Sequence, residues 1–276
     1  MMGFLQRAAR FAARAAGHAG QEARLAAARR YLRLRPGSIA KVGPYRVRTN
    51  DGPNLYILYK DLFVRRLYDF QAERDDPRIL DCGSNIGLSI LYFKSRYPAA
   101  RIEAFEPDPS IVPYLRENLT MNAIAGVNVH EAAVGGSEGV LTFYSDHKYG
   151  SALASVAVDA ERESWTRYDV PCVRFRDLLD QPADLIKMNI EGAEYEAIAG
   201  AADRLRQARE LLIEYHHLPG LPRTLHDILA ILHRNGFEYL LYDFDRETNP
   251  AAQPPFHLSP ETRLFLLIYA RRIGHQ

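Results

Sequence analysis

Arg78-Ile79-Leu80-Asp81-Cys82-Gly83-Ser84-Asn85-Ile86-Gly87 is the stretch whose reading decides the fold. Ile79 and Leu80 are apolar and suited to a strand buried on both faces. Asp81 and two glycines flanking Ser84 and Asn85 follow, and then an apolar-periodic run from Ile86 to Tyr92. The order reads as strand, tight turn, helix. Gly83 and Gly87 let the backbone turn sharply and let a ligand approach it closely. The turn delivers that ligand to a helix N-terminus, where free N–H groups favour anions and polar acceptors. It has neither the lysine nor the spacing of a phosphate loop, and it does not complete a Gly-x-Gly-x-x-Gly dinucleotide fingerprint.

A second strand, Arg101 to Phe105, runs into Glu106-Pro107-Asp108-Pro109. An acidic residue at the second strand's tip, roughly 20 residues past a glycine turn, is where an acceptor for ribose hydroxyls belongs. Glu106 lies 19 positions after Gly87. Glu106 can equally cap the helix that begins near Pro109, and the two roles are compatible.

The chain's 276 residues, 47% hydrophobic and 25% charged, suit one large α/β domain with an extension. A net charge of +1 gives no global argument for a nucleic-acid or acidic partner. Cys82 and Cys172 offer neither a disulfide framework nor metal-ligand spacing, which suits a reducing, cytoplasmic compartment. No apolar run approaches the ~18 residues of a membrane span.

Charge is unevenly placed. Residues 1–36 form an Ala/Arg-rich arm whose only acid is Glu22. It is expected to be helical, and three roles are open to it: a targeting segment, a membrane-surface segment, or a packing helix through which the chain forms a homo-oligomer. Residues 37–75 read as an N-terminal extension. Val42 to Tyr59, split by Asn50-Asp51-Gly52-Pro53, predicts a β-hairpin, and Asp61 to Arg74 predicts a helix. Residues 76–276 form the main domain.

In that domain, strand signals near 78–82, 101–105, 127–131, 184–190 and 210–215 alternate with helical patterns near 86–96, 109–122 and 194–207. The alternation predicts a doubly wound, mostly parallel sheet. Phe237–Phe244 and Arg263–Ala270 bring it to seven strands. An irregular segment joins these two, so they are expected to pair antiparallel. Tyr144 to Tyr168 reads as a long, mostly irregular insertion, either a lid over the acceptor or a surface loop. Such sheets bind ligands outside the carboxyl ends of their strands. The tips to inspect are Asp81–Gly87, Glu106, Ala132–Val134, Asn189–Glu194 and Glu214–His217.

Four runs together resemble the FkbM-type methyltransferases of the Rossmann-like class I fold: Leu80 to Gly87, Ala104 to Pro107, Asn118 to Asn122, and Ala132-Ala133-Val134-Gly135. Ile186-Lys187-Met188-Asn189-Ile190-Glu191-Gly192-Ala193-Glu194 is similar to that family's Lys-hydrophobic-Asp-hydrophobic-Glu-Gly-Ala-Glu signature, with Asn189 where Asp is usual. The resemblance spans about residues 75–217. It implies S-adenosylmethionine as cofactor, S-adenosylhomocysteine as product, and transfer to a hydroxyl of a small-molecule or sugar-containing acceptor. It places the methionine portion along Asp81, Gly83, Ser84, Asn85 and Gly87, with Asn189 nearby. Glu106 is placed at the ribose hydroxyls and Ala133 beside the adenine, with Pro107 among the cofactor-binding residues. A cation near Asp81 also gains electrostatically.

Candidates for removing the acceptor's proton are Glu191, Glu194, His216 and His217. Glu194 opens a helix and can act as a cap instead. His216 and His217 are adjacent on an extended strand, so only one faces the site. Glu191, Glu194 and a histidine could hold a divalent ion, but their spacing does not require one, and metal is not favoured. Two rival functions stay open, a nicotinamide oxidoreductase on a similar sheet and a binding protein that has lost catalysis. Nucleic-acid methylation rests on the basic arm alone and is not favoured.

Overall fold

A computed structural model describes residues 31–147, 151–153, 165–217, 222–243, 254–255, 259 and 262–273. The arm up to residue 30, with its targeting and oligomer expectations, lies outside them. The chain opens with a hairpin, β1 (Ile39–Val42) and β2 (Tyr45–Arg48), then helix α1 (Gly52–Tyr59) and a π-helical turn, Lys60–Val64. This corrects the expected extension in two respects. The hairpin turns at Gly43-Pro44, and Asn50-Asp51-Gly52-Pro53 starts a helix instead. Asp51 caps that helix by accepting from the Asn54 N–H at 2.9 Å, and proline occupies its first turn. Cap chemistry thus prevails over turn chemistry. The helix expected over Asp61–Arg74 begins nine residues early and stops at Arg66, which adopts a φ of 60°.

Next come β3 (Arg78–Cys82), α2 (Leu88–Arg96), β4 (Arg101–Phe105), α3 (Val112–Met121) and β5 (Val127–His130). The chain then forms β6 (Ala133–Gly135), β7 (Gly139–Ser145), β8 (Ser151–Leu153), β9 (Thr166–Arg174) and the short helix α4 (Phe175–Leu178). It returns through β10 (Ala183–Met188), α5 (Glu194–Gly200), β11 (Ala208–His217), α6 (Leu225–Arg234), β12 (Phe237–Tyr242) and β13 (Leu264–Arg272). The main sheet has seven strands in the order β12-β13-β11-β10-β3-β4-β5, with β13 antiparallel to both neighbours. Alternate residues feed two cores, as the strand period of two requires. Ile79, Leu185 and Leu212 point to the face covered by α2 and the extension, while Leu80, Ile186 and Leu211 point to the face of α5 and α6. The sheet is doubly wound, as the alternation predicts.

The stretch expected to be irregular contributes strands to a second sheet, order β6-β9-β7-β8. Within it Pro171 of β9 pairs with Val140 of β7. The remainder of that stretch, 148–150 and 154–164, lies outside the described residues. The helix expected over 194–207 ends at Gly200, and only a 3₁₀ turn, Leu205–Gln207, follows.

Asn118 and Asn122 fasten the extension to the domain. The buried Asn118 accepts from the Arg48 N–H at 2.7 Å and donates to the Arg48 and Ile86 carbonyls. Asn122 makes the same pair of bonds with Arg46, at 2.9 and 2.7 Å. Four residues of helix rise about 6 Å and two residues of strand about 6.6 Å, so amides one helical turn apart match alternate residues of β2. The two side chains stand in for a neighbouring strand.

Candidate active site

The strand order reverses between β3 and β10, because the chain builds outward from β3 to β5 and then from β10 in the other direction. Ligands collect at such a switch point. The turn after β3 is pressed against the end of β10. A Cβ on Gly83, whose φ is 83°, would lie 1.8 Å from the Asn189 carbonyl oxygen. Gly87, at φ 87°, caps α2, and a Cβ there would meet Leu115 at 2.6 Å. Gly83 and Ser84 both donate N–H bonds to the Phe105 carbonyl at 2.9 Å, tying the turn to the tip of β4. The Ser84 hydroxyl donates to the Asp81 carbonyl.

Glu106 is joined to this turn directly. Its carboxylate accepts from the Asn85 N–H at 2.7 Å and the Asp108 N–H at 3.0 Å. Burial pushes it up to about 7, although both N–H groups favour its charge. Pro107 follows it, half-buried. Ala133, at the start of β6, packs with Phe143, Val170 and Cys172 in the core of the second sheet.

Asp81 is fully buried; one oxygen is hydrogen-bonded and the other is answered by an ion pair alone. It accepts from the Ser89 hydroxyl at 2.6 Å and stands 3.2 Å from Lys187 Nζ. Lys187 sits opposite it in the β3–β10 register and also donates to the carbonyls of Gly83 and Cys82. The sequence reading quoted Lys187 within the family signature but gave it no role. A lysine inside an otherwise apolar central strand is its second signal.

At the tip of β10, Asn189 donates to Glu214 Oε2 at 2.8 Å, and the other Glu214 oxygen accepts from the Tyr68 hydroxyl. Burial, and then Glu214, hold Tyr68 well above the usual tyrosine range. Tyr68 comes from the extension and was not anticipated in the site. Glu191 adopts a φ of 56°. Burial raises its carboxyl to about 7, with Glu194 and Glu214 adding and His216 and Lys187 opposing.

The two histidines part as the strand period demands. His216 donates through Nδ1 to Glu194 at 3.0 Å. Burial lowers its pKa, but Glu191, Glu194 and Glu214 outweigh burial and hold it at about 10. The structure therefore presents an imidazolium here. His217, on the opposite face, is buried with neither ring nitrogen hydrogen-bonded, and burial lowers its pKa. Glu194 is committed too: one oxygen accepts from the Ile190 and Gly192 N–H groups as well as from His216. Of the four proton-acceptor candidates, Glu191 lines the cavity beside the glycine turn and accepts no hydrogen bond among the described residues, whereas Glu194 and His216 are paired with each other and His217 is buried on the opposite face.

A small cavity of about 90 Å³ joins these parts, lined by Gly83 to Asn85, Asn189 and Glu191, with Leu58 and Leu62 from the extension. A larger one, about 570 Å³, lies beyond the Gly192-Ala193 turn and is bordered by His216, Glu194 and Tyr195. Among the described residues, no three His, Cys, Asp or Glu side chains are grouped to hold a metal, and no helix is long and apolar enough to cross a membrane.

Residues 81–239, over half the chain, match the family described as the methyltransferase FkbM domain. The chain belongs to the FkbM methyltransferase family. The methyltransferase sdnD of Sordaria araneosa is 30% identical over 213 residues, covering 66% of this chain and 81% of that one. The 2-O-methyltransferase NoeI of Sinorhizobium fredii is 31% identical over 170 residues, covering 56% and 69%. The 31-O-demethyl-FK506 methyltransferase FkbM of Streptomyces tacrolimicus is 27% identical over 214 residues, covering 65% and 80%. The matched span of this family member carries the glycine turn, Glu106 and the whole β10 tip. Tyr68 lies outside it.

Proposed function

We propose that this FkbM-family chain transfers a methyl group from S-adenosylmethionine to a hydroxyl of a small-molecule or sugar-containing acceptor. The observation that carries the reading is the cavity at the β3–β10 switch point, with the glycine turn on one side and Glu191 on the other. The residues present suit the cofactor. Gly83 lets the turn pack against the Asn189 carbonyl, where a side chain would clash, and each Glu106 oxygen keeps a free lone pair for a ribose hydroxyl after accepting one N–H. Gly83 to Gly87 would hold the methionine portion, with Asp81 and Asn189 beside it. Pro107 and Ala133 would border the adenine. When bound, the cofactor supplies an activated methyl carbon.

The protein's own part is positioning and proton removal. Glu191, held near neutrality, accepts the proton of the acceptor hydroxyl, which general-base catalysis favours when the base titrates near the working pH. His216 and Glu194 act through Glu191: the imidazolium, fixed by Glu194, steadies the charge of the carboxylate. Leu58 and Leu62 give the acceptor an apolar wall. Two relatives whose names specify transfer to or at an oxygen, NoeI and FkbM, support a hydroxyl acceptor. Two free cysteines suit a cytoplasmic setting.

Thermal unfolding with S-adenosylhomocysteine, against NAD as control, tests the cofactor. At about 100 times its dissociation constant a ligand adds roughly 2.7 kcal/mol, enough for a shift of several degrees. A shift with NAD alone would move the chain to oxidoreductase chemistry.

A further inference from the structure

Asn189 carries an unanswered polar atom. Its Nδ2 donates to Glu214, while its Oδ1 is buried with no hydrogen-bond partner among the described residues. The amide cannot simply reverse. Glu214 is a carboxylate that already accepts from Tyr68, so only a donor suits the face of Asn189 turned toward it. Glu214 therefore fixes where Oδ1 lies, and Tyr68 fixes Glu214. Native structures keep few buried polar atoms without a partner, and those that persist call for an explanation.

Asn189 lines the same small cavity as Gly83, Ser84, Asn85 and Glu191. The charges around it are not balanced. Lys187, the nearby cation, is committed to Asp81 and to two carbonyls. Glu191, Glu194 and Glu214 then outnumber the one further cation of the site, the His216 imidazolium. A donor that carries positive charge is therefore favoured over a neutral one. An aspartate at 189 would set a second carboxylate against Glu214 at hydrogen-bond distance, and the pair would have to share a proton. Asparagine avoids that conflict and turns Glu214 into an anchor.

We infer that Asn189 Oδ1 accepts a hydrogen bond from the α-ammonium group of the cofactor's methionine portion, held in place for it by the Tyr68–Glu214 pair. The inference rests on the cofactor reading of this cavity. Asn189 is then a binding residue, and Tyr68 and Glu214 are positioning residues that act through it.

Calorimetric titration of the full chain tests this with S-adenosylhomocysteine and its deaminated analogue, which lacks only the α-amino group. The wild type should bind the analogue about 10-fold more weakly, the scale of one hydrogen bond to a charged group. N189A should bind S-adenosylhomocysteine weaker by a similar factor, and it should no longer distinguish the two ligands. E214Q preserves the volume of the pair but frees the amide to turn. It should erode the discrimination by a few-fold even if N189A proves unable to fold. Discrimination as strong in N189A or E214Q as in the wild type overturns the inference, and so does an equal loss of affinity for both ligands. A wild type that binds neither ligand overturns the cofactor reading itself, a separate outcome.

Discussion

Glu106 and Glu191 stand at the tips of β4 and β10, and burial brings both to about 7. Their surroundings differ. Both Glu106 oxygens are held by backbone N–H groups of the adjoining turns, so the side chain has one orientation and a standing preference for charge. Glu191 accepts no hydrogen bond among the described residues and is balanced between two carboxylates and an imidazolium. The same protonation midpoint therefore serves two tasks. A carboxylate pinned by the backbone is built to receive hydroxyl donors. One poised among side-chain charges is built to gain and lose a proton. Desolvation brings each to the same pKa, and hydrogen bonding separates their roles.

The sharpest way to break this comparison is E191Q. If Glu191 is the proton acceptor, turnover should fall by about 10²–10⁴ while affinity for S-adenosylhomocysteine stays within about threefold. Turnover near wild type would leave orientation alone as the source of rate. A second variant, K187M, asks whether the tips depend on the ion pair beneath them. It strands a buried Asp81 charge and should cost about 3–5 kcal/mol of stability in chemical denaturation. A loss below 1 kcal/mol would mean that Asp81 takes up a proton instead.

On the other side of the comparison, E106A should weaken S-adenosylhomocysteine on the order of 100-fold, the loss of two hydrogen bonds to a charged group. Affinity close to wild type in that variant would falsify the ribose assignment.

The pH dependence is the most specific test. His216 rises from the ordinary 6.5 to about 10. Its contribution to stability is complete below pH 6.5 and is lost as pH climbs through 10. Unfolding measured from pH 6 to 10 should show that decline in the wild type, and H216N should flatten it. Glu191 moves the other way for catalysis, since kcat/KM should rise as pH passes through about 7 and its carboxyl ionises.

The seven-stranded sheet was legible in the sequence because its strands are short apolar runs between helical periods, and both signals are local. So were the glycine turn and the place of Glu106, which follow from spacing along the chain. Misreadings occurred where two local signals competed. Asn50 to Pro53 fits a hairpin turn and a helix cap equally well, and Asp51's bond to Asn54 decided for the cap.

What the sequence alone determined is the order of the parts: a mostly parallel doubly wound sheet, a glycine turn at its centre, and acidic residues at the strand tips. Tertiary structure decided which partner each tip residue would take. Register set Lys187 against Asp81, packing brought Tyr68 across from the extension to Glu214, and β11 brought His216 to Glu194. Those pairings join residues far apart in sequence. A carboxylate's role depends on which donors and charges surround it, and no local spacing specifies them.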